Sequence, residues 1–142
     1  MAFALDTSTD FGKMAADRID REGIAWLTTV NSKGIPQPNP IWFLWQDGEF
    51  LIFSEPNQAK LANIQRNSGV SLNLNSTNTG GNVIVFTGEA ELFDKATLPG
   101  EVIDRYLQKY AADIRGLGLE DGKFLNQYSE GIRFTPTKVR GF

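Results

Sequence analysis

The spacing of hydrophobic and polar positions changes several times along the chain, and each change marks a candidate element. In "TSTDFGKMAADRIDREG", residues 7–23, Phe11, Met14, Ala15 and Ile19 recur at helical spacing. Thr7 is placed to cap with Asp10 three residues on, and Gly23 stops the pattern, which predicts a helix over one end of a sheet. The next segment, "IAWLTTVNSKGIPQPNPIWFLWQDGEFLIFS", is rich in β-branched and aromatic residues, with turn signals at "NSKG" and "QDG". It predicts three antiparallel strands, the last two joined by a hairpin at Asp47-Gly48. Pro36, Pro38 and Pro40 alternate in the second strand. A central ladder would lose an amide donor at each, so this strand is expected at an edge. Such an edge either blocks unwanted pairing or leaves backbone free to meet a planar ligand or a second subunit.

The stretch "FSEPNQAKLANIQRN" then leaves a strand and enters a helix expected to start near Asn57, with Ser54 and Asn57 as capping types. "VSLNLN" and "NVIVFTGEAELF" read as strands around a polar "STNTGG" loop. In the second of them Val83, Val85, Thr87, Ala90 and Leu92 suggest a register shift near Gly88. Val102, Ile103, Tyr106, Leu107, Tyr110 and Ile114 form one stripe of an amphipathic helix bounded by Pro99 and Gly116, read as core. A short helix in "EDGKFLNQYSEG" and a final strand in "IRFTPTKVRGF", which Pro136 could break, complete the pattern. The expected fold is α+β: a single domain over residues 1–142, with six antiparallel strands curled into a small barrel and helices over its ends and seams.

Composition narrows the function. With 41% hydrophobic and 22% charged residues in 142, the chain is ordinary for a globular domain, and no apolar run is long enough to span a bilayer. "MAFALDTSTD" lacks a secretory pattern, so a cytoplasmic location is expected. A net charge of -3 with scattered basic residues disfavours nucleic acid as a partner. Zero cysteine and zero histidine remove thiol nucleophiles, Ser-His and Cys-His relays, the usual imidazole or thiolate metal sites, and a haem held by either residue. No carboxylate pair, Walker loop or dinucleotide fingerprint stands out, so an enzyme built on this chain would take its hard chemistry from a bound cofactor.

Two features carry candidate chemistry. Lys60 sits in the first turn of its helix, where free amide groups and the positive dipole end could join it in holding a phosphate; Asn63 and Asn67 lie on the same face. An exposed surface lysine is the plain alternative. In "WFLW", Phe43 and Trp45 share one strand face while Trp42 points to the other. Trp42 fits a dimer interface, a cleft for a flat ligand, or a strand covered by helices on its outer side.

Together "IAWLTTVNSKGIPQPNPIWFLW", "FLIFSEPNQAKLANIQRNSGVSLNLN", "FTGEAELF" and "IRFTPTKVRGF" resemble the pyridoxamine 5'-phosphate oxidase-like superfamily of split β-barrels, of the FMN-binding split barrel type. The likeness runs from about residue 20 to 142, and is nearest to the branch of deazaflavin (coenzyme F-420) dependent reductases. It implies a homodimer with FMN or coenzyme F-420 at the subunit interface, and hydride transfer to or from a small organic substrate. A non-catalytic carrier of the same cofactor is the alternative. It further implies that Pro38, Asn39, Pro40, Ile41 and Trp42, with Phe53 and Ser54, lie along the cofactor ring. The segment Gln58, Ala59, Lys60 with Asn63 would hold the phosphate. Relatives often carry arginine at the position of Gln58, so this seat has one charge fewer. The resemblance assigns no catalytic side chain. The true oxidase grips its vitamin B6 substrate with a C-terminal arginine and histidine; here Arg133 and Arg140 are present but no histidine is.

Overall fold

Four strands rather than three form between residues 25 and 54, because the second predicted strand breaks at Trp42 and Phe43. In the computed structural model, which describes residues 2–142, the elements run α1 (Asp10–Arg21), β1 (Ala25–Val30), β2 (Pro36–Ile41), β3 (Leu44–Gln46) and β4 (Glu49–Ser54). They continue with α2 (Ala59–Arg66), β5 (Gly69–Leu74), β6 (Ile84–Phe93), α3 (Gly100–Lys109), α4 (Ala111–Gly116), α5 (Asp121–Gln127) and β7 (Glu130–Gly141). The seven strands make one antiparallel sheet in the order β2-β1-β5-β6-β7-β4-β3, one strand more than the sequence pattern predicts. No helix among the described residues is long and apolar enough to cross a membrane.

That order forces the sheet to curl. Its edge strands β2 and β3 are consecutive in the chain and joined only by Trp42 and Phe43. Laid flat, seven strands would hold the edges about 29 Å apart, whereas Ile41 and Leu44 can be separated by at most about 11 Å. The sheet therefore bends until its edges approach, giving the half-barrel expected of a split barrel. The expected edge position of the proline strand is observed: β2 pairs with β1 alone, and Pro36, Pro38 and Pro40 stand opposite Val30, Thr28 and Trp26 with their rings exposed. Asp47 and Gly48, with φ of 50° and 80°, make the tight β3–β4 turn.

Two cores share β4. Phe50 and Ile52 face the interior of the curl with Leu27, Phe43, Leu72, Phe86 and Phe134, and Ala15 and Ile19 of α1 close one end. Leu51 and Phe53, on the other face, pack against Val102, Tyr106, Tyr110, Ile114 and Phe124 of α3–α5. Burial on both faces accounts for the unbroken apolar run in β4. Trp42 and Trp45 take the opposite faces expected of them, and α3–α5 cover the Trp42 side.

Several local expectations change. Helix α1 is capped by Thr9, which accepts from the Gly12 amide, and not by Thr7. The Asp6 carboxylate bonds Ser8, and this preceding turn delays the helix. The register shift at Thr87/Gly88 lies in the partner strand. Ile84, Phe86 and Ala90 keep one parity along β6, so Val83, Val85 and Thr87 are not its inward set. In β7 the extra residue Thr137 separates Pro136, opposite Gly88, from Lys138, opposite Thr87. Gly88 allows this close crossing, since a Cβ there would stand 2.2 Å from the Thr135 carbonyl oxygen. Strand β7 runs on through Pro136. The single amphipathic helix predicted after Pro99 divides at Tyr110 into α3 and α4.

Tyr110 also explains how the chain can break at Phe43. A fully buried residue outside the ladders would leave its backbone groups unpaired, at considerable cost. The Phe43 amide donates to Tyr110 Oη at 2.8 Å, and Lys109 Nζ donates to the Phe43 carbonyl at 2.7 Å. Tyr110 Oη lies 2.8 Å from the Gly23 carbonyl and 2.9 Å from that of Phe43. With one hydroxyl proton, and the Phe43 carbonyl already served by Lys109, the bond to Gly23 is the one it completes.

Tyr110→Phe is expected to destabilise the fold by roughly 1–3 kcal/mol, read as a lower urea midpoint. Burial lowers the Lys109 pKa to about 8, with Asp20 pulling the other way. Because the folded pKa is depressed, the unfolded chain binds more protons between pH 8 and about 10.4, and stability rises with pH across that window. Denaturation at pH 7.5 and 9.5 checks this: the wild-type midpoint should rise relative to Lys109→Met. Equal shifts in the two proteins would refute the assignment.

Candidate functional site

The curl brings the end of β2 beside the end of β4, and α2 begins a few residues beyond β4. Where these meet α3–α5 there is an open cavity of about 270 Å³. Pro40, Ile41 and Trp42 form one wall, and Phe53, Ser54 and Glu55 another. Gln58 and Lys60 stand at the α2 end, and Tyr106, Phe124 and Tyr128 close the helical side. The aromatic side is ordered by stacking: Trp42 lies against Tyr110 at 4.6 Å and 2° and against Phe124 at 5.5 Å and 12°, and Phe124 stacks on Tyr128 at 4.5 Å. Offset near-parallel rings of this kind make a rigid apolar surface suited to another flat molecule.

Helix α2 starts two residues later than predicted. Asn57 adopts a left-handed φ of 64°, Ser54 Oγ is spent on the Glu55 carbonyl, and the N-cap is Gln58, whose side chain makes no capping bond. At 100° per residue Lys60 falls between Asn63 and Ile64, in the middle of the face that α2 buries. Its side chain is consequently directed inward and half-buried, unlike a surface lysine. Burial lowers its pKa, partly offset by the Glu55 carboxylate. The cavity thus holds one cation and one carboxylate near a helix start without a side-chain cap.

Of the residues singled out from the sequence, Pro40, Ile41, Trp42, Phe53, Ser54, Gln58 and Lys60 line this cavity. Asn63 does not: its amide is buried and donates to Thr29 Oγ1 at 3.0 Å, tying α2 to β1. Ala59 and Asn39 are exposed, and the Asn39 amide turns back to the Gln37 carbonyl. Pro38 borders a separate shallow depression of about 480 Å³ with Trp26, Asn73 and Val85 on the outer face of the sheet. The sequence pattern missed the helical side. Tyr106 lies on the stripe read as core, and no local signal separates it from Tyr110, which shares that stripe without lining the cavity. Burial pushes the Tyr106 phenol well up, with Tyr110 and Tyr128 adding to the effect; Tyr128 is also raised, by burial and then by Glu55.

Arg133 is engaged elsewhere. Its guanidinium lies 3.5 Å from both Glu49 and Glu91 and over the Phe93 ring, so it is committed within the sheet and does not line the cavity.

No curated protein matches the sequence. Solved structures share the fold. A conserved hypothetical protein of Mycobacterium tuberculosis aligns with TM-score 0.70 and 20% identity, over 99% of this chain and 88% of that one. A protein described as an F420 reductase aligns with TM-score 0.65 and 19% identity, over 87% and 94%. A heme storage protein of Vibrio cholerae gives 0.70 and 16%, over 98% and 95%. The family model described as Pyridoxamine 5'-phosphate oxidase matches residues 11–142. Nearly the whole chain, from α1 through β7, therefore belongs to the pyridoxamine 5'-phosphate oxidase family.

Proposed function

We propose that this protein is a cytoplasmic homodimeric oxidoreductase whose cavity holds the ring of FMN or of deazaflavin coenzyme F-420, with the phosphate at Lys60. The observation that carries this reading is Lys60 itself, an inward-facing lysine at an uncapped helix start, beside an aromatic-walled cavity. A half-buried ammonium with a lowered pKa gains from an anion that restores its lost solvation. Gln58 and the first amides of α2 would add neutral donors, and the wall from Pro40 to Trp42 with Phe53 and Ser54 would flank the ring. When bound, such a cofactor supplies hydride transfer to or from a small organic substrate. The protein's own part is to hold the ring against the aromatic stack, fix the phosphate and limit water.

The cavity of about 270 Å³ lies just below the usual range for small-molecule sites. A second copy against the outer sheet face near Trp26 and Pro38 would extend it, in keeping with a site shared between subunits. A non-catalytic cofactor carrier is the second reading, favoured by a cavity lining that offers no imidazole or thiol to move a proton. The heme storage relative does not extend this to haem held by histidine or cysteine, since the chain has neither.

Titration with FMN and with coenzyme F-420, followed by visible absorption, tests the proposal. Lys60→Ala should weaken binding by about tenfold or more, the loss of one charge-assisted contact. Gln58→Arg should tighten it, and high salt should narrow both differences. If neither cofactor binds the wild-type protein, the reading fails; if one binds but a loaded protein exchanges no electrons with dyes or quinones, the carrier reading replaces the enzyme.

A further inference from the structure

Lys60 does not face the cavity alone. Glu55 lines it too, and among the described residues these two are the charged groups of the lining. Both are half-buried, and no ion pair within 4.0 Å among the described residues includes either of them. Each charge is therefore left facing the space rather than cancelled by contact. The local chain holds them on one rim: Ser54 Oγ donates to the Glu55 carbonyl at 2.8 Å, and Asn57, at φ 64°, turns the chain between Glu55 and the start of α2. The field of the carboxylate reaches both ends of the cavity. Burial lowers the Lys60 pKa and Glu55 opposes it; burial raises the Tyr128 phenol on the helical side and Glu55 adds to it.

A seat built only to attract phosphate would have no use for such a carboxylate. Glu55 keeps Lys60 charged, but it also repels any anion brought to Lys60, and it repels in proportion to the charge of that anion. Lys60 supplies one positive charge and the uncapped start of α2 about half of one, while Glu55 takes one away. A single negative charge nearly balances what remains. A phosphomonoester, with about 1.5 to 2 negative charges at neutral pH, overloads it. We infer that Glu55 makes the seat selective for charge, so that the cavity takes a ring compound whose phosphate is a diester, carrying one negative charge, in preference to a phosphomonoester. This rests on the proposed flavin or deazaflavin site and names the class of phosphate that the site accepts, to which that of coenzyme F-420 belongs and that of FMN does not. The discrimination comes from a repulsive group, which weakens the favoured ligand a little and the other more.

Ligands that share one ring and differ in charge test this: riboflavin, with none; riboflavin 4′,5′-cyclic phosphate, a diester with a single charge; and FMN. These and their 5-deaza counterparts are titrated into wild type and Glu55→Gln at low salt near neutral pH, following ligand absorption. Wild type should bind the cyclic phosphate at least as tightly as FMN. Glu55→Gln should leave riboflavin unchanged, tighten the cyclic phosphate by about threefold and tighten FMN by about tenfold. Comparing the two proteins cancels the difference in shape between a cyclic and an open phosphate. Gln58→Glu, which adds a carboxylate at the same seat, should weaken the ligands in the same order, so the result does not hang on one variant. The inference is overturned, with the cofactor site left standing, if wild type favours FMN over the cyclic phosphate. It is overturned equally if Glu55→Gln shifts all three ligands alike, as the loss of a merely structural side chain would. If wild type binds none of them, it is the cofactor site that fails, and the charge preference with it.

Discussion

The break at Phe43 is the constraint on which the rest of the structure depends. Without it β2 and β3 would be one strand and could not lie at opposite edges of the same sheet. The break is affordable only because Tyr110 and Lys109 satisfy the backbone of a residue that is wholly buried. The same tyrosine stacks on Trp42 and so sets the plane of the aromatic wall. One side chain on the helical layer thereby closes the half-barrel, orients the cavity and divides α3 from α4.

Local signals made much of this visible in the sequence. Alternating prolines placed β2 at an edge, Asp47-Gly48 placed the hairpin, and the zero counts of histidine and cysteine directed attention to cofactor chemistry. The break itself was not visible, because "PIWFLW" contains no turn residue after Pro40 and the partner that imposes it lies 67 residues away. The parity of β7 was hidden for a related reason: Thr137 is an extra residue only in relation to β6. At the site, Lys60 was legible as a candidate anion anchor while an exposed surface lysine stayed open, because the face that α2 buries is set by its packing on the sheet. Asn63 was placed beside it, whereas its amide is committed to Thr29, a neighbour brought in by the sheet.

The candidate site is built from two unlike materials. Strand ends and the α2 start supply backbone, one ammonium and one carboxylate; the C-terminal helices supply rings and hydroxyls. Glu55 moderates Lys60 in a way that the phosphate-seat pattern alone did not suggest, since a carboxylate beside the cation favours its charged form but competes for it with any incoming anion. Affinity for a phosphate would then depend on how far the ligand holds the two apart.

The strand order has a consequence for biosynthesis. Strand β7 is the last of the seven strands in chain order, yet it lies inside the sheet, between β6 and β4. Until it leaves the ribosome, the nascent chain can assemble only two separate pieces, β2-β1-β5-β6 and the β3–β4 hairpin, each with an unpaired border. Closure therefore waits for β7, and the interval before it is when these borders are open to other chains or to chaperones.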